Sequence, residues 1–166
     1  TNLSMSVVGN LSPVLFLTFH ELYGISFSLL GLLILINFVT QLTIDLIFSF
    51  FSHKFNISKT VKSIPILTIL GLLVYSLWPV FLPQYAYAGL VTGTVIFSLS
   101  SGLVEVLLSP IIAALPADDP DREVSKLHSI YAWGVVFVIL FGTVFLLLFG
   151  GESWQYLALI LSIIPI

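Results

Sequence analysis

Residues 86–115 read AYAGLVTGTVIFSLSSGLVEVLLSPIIAAL, an apolar run that contains one charged residue, Glu105, with no basic residue nearer in the chain than Arg122. About 20 helical residues cross the ~30 Å hydrocarbon core of a bilayer, so this run is long enough to span it. A carboxylate at such depth costs several kcal/mol unless it faces protein or water. The stretch therefore predicts a membrane helix with a polar side, and Glu105 lies on that side.

The rest of the chain agrees. Its 166 residues are 58% hydrophobic and 8% charged, with a mean hydropathy of +1.16. That balance leaves too little polar surface for a water-soluble globule, and the expected partner is a lipid bilayer. The formal charge of −3 includes no basic patch, so no nucleic-acid partner is expected. The chain has no cysteine, which excludes disulfides and thiolate-held metals. No nucleophile with a base, metal-ligand pair or phosphate-binding loop is present, so neither an enzyme nor a metal or cofactor site is expected. His20-Glu21-Leu22-Tyr23-Gly24 begins like a zinc-protease motif but has Gly24 where the second histidine is required.

Polar and turn-forming breaks divide the sequence into six apolar segments, at 5–19, 27–52, 63–82, 86–115, 127–149 and 154–166. The expected fold is an all-α membrane protein of six transmembrane helices, arranged as two inverted three-helix repeats over 5–82 and 86–166. The first and last segments are short, and the chain opens on Thr1 and is still apolar at Ile166. This predicts a piece of a longer protein. Lys54, Lys59 and Lys62 fall in the second break, Arg122 and Lys126 in the fourth, and the other breaks hold no cation. By the positive-inside rule both breaks are cytoplasmic, which makes this a multi-pass plasma (inner) membrane protein with a cytoplasmic N-terminus. Trp78, Tyr85, Tyr87 and Trp154 then fall at the outer boundary.

Two segments carry polar stripes. Asn37, Gln41 and Asp45 recur at four-residue spacing and share one helical face. They either hydrogen-bond to a neighbouring helix or line a water-filled cavity. Thr94, Ser98, Ser101, Glu105 and Ser109 form a second stripe at spacings of four, three, four and four. Glu105 lies about ten residues, hence ~15 Å, from the cytoplasmic end, near the midplane where transporter sites lie. A carboxyl group there can take a proton from one side and release it to the other. Glu105 and Asp45 are thus the proton-coupling candidates, and Asn10, Asn37, Gln41, Ser98, Ser101, His128 and Tyr131 the pathway and substrate candidates. His128 is open to two readings, a proton relay or an interfacial packing residue.

These residues carry a resemblance. The topology, with a basic loop after the second segment and a charged loop after the fourth, resembles the N-terminal half of a major facilitator superfamily transporter. Ser52-His53-Lys54-Phe55-Asn56-Ile57-Ser58-Lys59 is similar to a degenerate form of that superfamily's loop signature, with His53 at the acidic position, Ser49 at the first glycine and Asn56 at the second. Ser101-Gly102-Leu103-Val104-Glu105-Val106, Pro110, Leu115-Pro116, Leu127-His128-Ser129 and Trp133-Gly134 resemble the fucose permease-like branch. That resemblance implies proton-coupled uptake of a small polar organic solute, with a sugar as the model case, by alternating access. It also implies a missing C-terminal half and a monomeric transporter. The branch's aspartate in the first helix has no counterpart over 5–19, and the superfamily's antiporter signature is absent from 127–149, which favours uptake over efflux by proton antiport.

Overall fold

The computed structural model describes residues 2–114, 116 and 119–165. They form helices joined by short connections: α1 (Asn2–Val14), α2 (Phe16–Tyr23), α3 (Phe27–Phe51), α4 (Ile57–Phe81), α5 (Ala86–Ala113), α6 (Pro120–Phe149) and α7 (Trp154–Leu161). No strand occurs among the described residues. Among the described residues four stretches are long and apolar enough to cross a membrane, the ones built on α3, α4, α5 and α6. The pair α1 and α2 makes a fifth if its 47° bend lies within one span.

Helix boundaries depart from the apolar segments where polar turns continue a helix. The segment expected at 63–82 begins instead at Ile57, because the Asn56 side chain accepts the Lys59 backbone N–H at 3.0 Å and caps the first turn. The segment expected at 127–149 begins at Pro120, where Asp119 caps the Arg122 N–H at 3.1 Å. Asp121 and Glu123 follow in that helix's first turn, where the helix dipole favours acids. The segment expected at 5–19 is longer and broken. Pro13 supplies no N–H to the preceding turn, and the chain bends at Leu15, whose N–H is shared between the carbonyls of Leu11 and Ser12 at 3.2 and 3.1 Å. The last segment, expected over 154–166, is helical only to Leu161 and continues as turns to Pro165. The helix expected over 86–115 ends at Ala113, and Leu115 lies outside the described residues.

The centre of the bundle is α5, which packs against α3, α4, α1 and α6. Glycine makes the closest approaches. A methyl group at Gly93 would lie 2.6 Å from the Tyr75 backbone N, and one at Gly71 would lie 2.5 Å from the Phe97 backbone N, so α4 and α5 touch main chain to main chain. Hydroxyls fasten the same contact: Thr68 Oγ1 and Ser100 Oγ are 2.5 Å apart, and Ser100 Oγ also donates to the Ile64 carbonyl at 3.0 Å.

The two ends of the bundle differ. Where α2, α4, α5 and α7 meet, Phe19, Tyr75, Phe97 and Trp154 are all buried. Phe19 and Trp154 meet edge to face with centroids 4.9 Å apart, Phe19 and Tyr75 at 5.8 Å, and Tyr75 and Phe97 at 5.6 Å. The Tyr75 hydroxyl is satisfied by Ser12 Oγ at 2.8 Å. Toward the other end, where α3 and α5 finish and α1 and α6 begin, the helices separate around a cavity.

Candidate functional site

That cavity has a volume of about 650 Å³ and draws its walls from α1, α3, α5 and α6. Each helix contributes at helical spacing. From α3 come Leu35, Phe38, Leu42 and Asp45, from α5 Val104, Glu105, Leu108 and Ser109, and from α6 Leu127, His128 and Tyr131. Asp45 and Glu105, expected from sequence to lie on polar faces, share this one space, with His128 and Tyr131 on the facing helix. Its wall carries no lysine or arginine among the described residues. Asp45 Oδ1 is shielded from the surface and has no hydrogen-bond partner among the described residues.

Next to it lies a chamber of about 120 Å³ lined by Asn10, Asn37, Gln41, Ser101 and Tyr131, among others. Gln41 and Tyr131 also border the larger cavity, so the two spaces adjoin. The chamber is held by a hydrogen-bond hub at Asn37, whose Oδ1 accepts from Gln41 Nε2 at 2.6 Å and from Ser98 Oγ at 2.7 Å. Those bonds use both acceptor sites of the Asn37 carbonyl and one Gln41 donor. The Asn37 amide N–H groups and the Gln41 carbonyl have no hydrogen-bond partner among the described residues. Asn10 Nδ2 donates to the Ser6 carbonyl at 2.9 Å, and its own side-chain carbonyl has no partner among the described residues. Ser101 is 1% exposed and its Oγ has no partner among the described residues.

The sequence candidates therefore divide into four groups. Asp45, Glu105 and His128 border the larger cavity, Asn10, Asn37 and Ser101 border the chamber, and Gln41 and Tyr131 border both. Ser98 borders neither and binds Asn37 across the α3–α5 contact, the helix-fastening role that spacing alone leaves open. Wall residues that carry no charge pattern to single them out include Asn2, Met5 and Phe38. The signal for the first two is periodicity, since Asn2, Met5 and Gly9 stack on one face of α1 with Asn10 beside them. Asn2 Nδ2 also donates to the Leu127 carbonyl and so ties α1 to the start of α6.

Chemically, the arrangement offers a cavity with two carboxyl groups and apolar walls next to a pocket rich in uncharged donors and acceptors. No group of three or more histidine, cysteine, aspartate or glutamate side chains that could hold a metal ion occurs among the described residues. No protein-family model, curated protein or solved structure matches this chain.

Proposed function

We propose that this bundle is part of a proton-coupled secondary transporter that moves a small organic solute with a polar group across a plasma (inner) membrane by alternating access. The observation that carries the reading is the cavity bordered by both Asp45 and Glu105 in a bundle of membrane-spanning length. Intramembrane carboxylates that share a polar space are the usual mark of an ion or solute path. A volume of about 650 Å³ is within the range of small-molecule sites. All five cations belong to the end of the bundle near this cavity, so the positive-inside rule supports a cavity that faces the cytoplasm while the aromatic cluster closes the outer end.

Helix pairing supports an inverted-repeat plan. If α1 with α2 is the first span and α7 begins the sixth, an inverted repeat relates α3 to α6 and α5 to α1. The packing of α3 on α5 then has its counterpart in the packing of α6 on α1, and both are extensive contacts. The apolar wall residues Leu35, Leu42, Val104 and Leu108 favour a second reading on the same fold, efflux by proton antiport of a solute with an apolar body.

The test is flux in proteoliposomes of the full-length protein with an imposed pH gradient. Glu105→Gln is nearly isosteric and removes the exchangeable proton. It is expected to abolish uphill accumulation while solute exchange down its own gradient persists. Accumulation as strong as wild type would make Glu105 a structural side chain. The direction of proton-driven flux separates uptake from efflux.

A further inference from the structure

We infer that the solute is a monovalent organic cation, an amine with an apolar body, whose ammonium group is held by Asp45 and whose uncharged polar end, where it has one, enters the chamber at Ser101. The inference rests on the transport reading for the use of the site, but not for its charge.

Charge comes first. The wall of the larger cavity has two carboxylates, no lysine or arginine among the described residues, and His128 as its one further group able to carry charge. An anionic solute would meet like charge in surroundings of low dielectric, which costs more than in water. A neutral polyol can donate to the Asp45 carboxylate but leaves its charge unbalanced, and it would set its other hydroxyls against Leu35, Leu42, Val104 and Leu108. An ammonium group balances that charge at the Asp45 carboxylate, and the apolar wall accepts its hydrocarbon. Phe38 and Tyr131 border both spaces, and aromatic rings attract cations.

Stoichiometry follows. If Glu105 carries the coupled proton, one carboxylate remains for the solute, and a single positive charge balances it. The chamber sets the rest of the specificity. Ser101 Oγ is buried without a partner, and the Asn37 N–H groups and the Gln41 carbonyl stand beside it, so this pocket rewards an uncharged group that both donates and accepts. A hydroxyl fits that description.

The test is equilibrium binding to the full-length protein in lipid nanodiscs, with a matched set of probes: phenethylamine, its neutral isostere 2-phenylethanol, the anion phenylacetate and the hydroxylated amine 2-amino-1-phenylethanol. Phenethylamine is expected to bind saturably and at least about tenfold more tightly than the alcohol or the acid. Asp45→Asn should abolish that preference and Asp45→Glu, which keeps the charge, should retain it. Glu105→Gln should leave amine binding in place. The hydroxylated amine should bind more tightly than phenethylamine, and Ser101→Ala should erase that difference. Equal binding of the alcohol, amine binding unaffected by Asp45→Asn, or no saturable amine binding overturns the inference. The two readings fail separately. Amine bound selectively but not moved in proteoliposomes would sink transport and leave the cation site. Proton-driven flux of a neutral solute that ignores Asp45→Asn would do the reverse.

Discussion

The aromatic end and the cavity end of this bundle are built from the same helices and solve opposite problems. At the aromatic end, Phe19, Tyr75, Phe97 and Trp154 fill the space between α2, α4, α5 and α7, and the Tyr75 hydroxyl is paired with Ser12. At the cavity end α3, α5, α1 and α6 keep about 650 Å³ open beside Asp45, and the adjoining chamber is bordered by Ser101; Asp45 Oδ1 and Ser101 Oγ have no partner among the described residues. Lipid gives helices little hydrophobic reason to associate, so the bundle must be held by packing and hydrogen bonds. The aromatic end and the glycine-mediated α4–α5 contact supply both. The cavity end gives up packing to keep this space open.

The largest expected effect tests which end carries stability. Trp154→Ala removes the residue that meets Phe19, Tyr23 and Tyr75 edge to face. It should cost about 3 kcal/mol, the low end for a buried tryptophan, because loosening in lipid loses packing more than it gains hydration. Phe38→Ala, a ring of similar kind that is 62% exposed beside the cavity, should cost less than about 1 kcal/mol. Denaturation of the two variants in bicelles measures both. Equal losses would mean that the cavity end is as tightly held as the aromatic end.

Accessibility tests the same contrast from outside. The 166 residues contain no cysteine, so single cysteines can be added without background. A membrane-impermeant maleimide should reach a cysteine at Leu42 or Ser109 from the side that also labels one at Lys59, and should reach one at Gln84 only from the opposite side. Cysteines at Thr94 or Phe97, which are buried, should react slowly from either side. Labelling of position 59 and position 84 from the same side would overturn the topology. Fast labelling at position 97 would mean that the aromatic end opens.

Much of this contrast is legible in the sequence, and the remainder has physical causes. Apolar length locates α3, α4, α5 and α6, because a lipid-facing helix cannot hide its composition. Hydropathy does not mark where a helix starts once it leaves the hydrocarbon, so the capped polar turns at Ile57 and Pro120 are missed although Asn56 and Asp119 are ordinary cap residues. The bend at Leu15 is signalled by Pro13, yet its angle depends on what α2 packs against. Among the site candidates, Asp45 and Glu105 stand out because charge in an apolar run is costly. Ser98 and Ser101 do not separate, since spacing puts both on the polar side of α5 and only the partner helix decides which finds a bond.

The smallest predicted effect concerns two neighbouring serines of α5 with opposite roles. Ser100 Oγ is bonded to Thr68 Oγ1 and to the Ile64 carbonyl, whereas Ser101 Oγ, equally buried, has no partner among the described residues. Removing a satisfied hydroxyl loses its bonds and strands the partner left behind, so Ser100→Ala should lower stability by about 1 kcal/mol. Removing an unsatisfied one relieves a desolvation cost, and Ser101→Ala should leave stability unchanged or raise it by up to about 1 kcal/mol. Both changes have the same volume and adjacent positions on one helix, so differences in propensity or lipid exposure cannot produce opposite signs. If Ser101→Ala destabilises as much as Ser100→Ala, Ser101 is part of the packing between helices and the proposed solute chamber loses the unpartnered group it rests on.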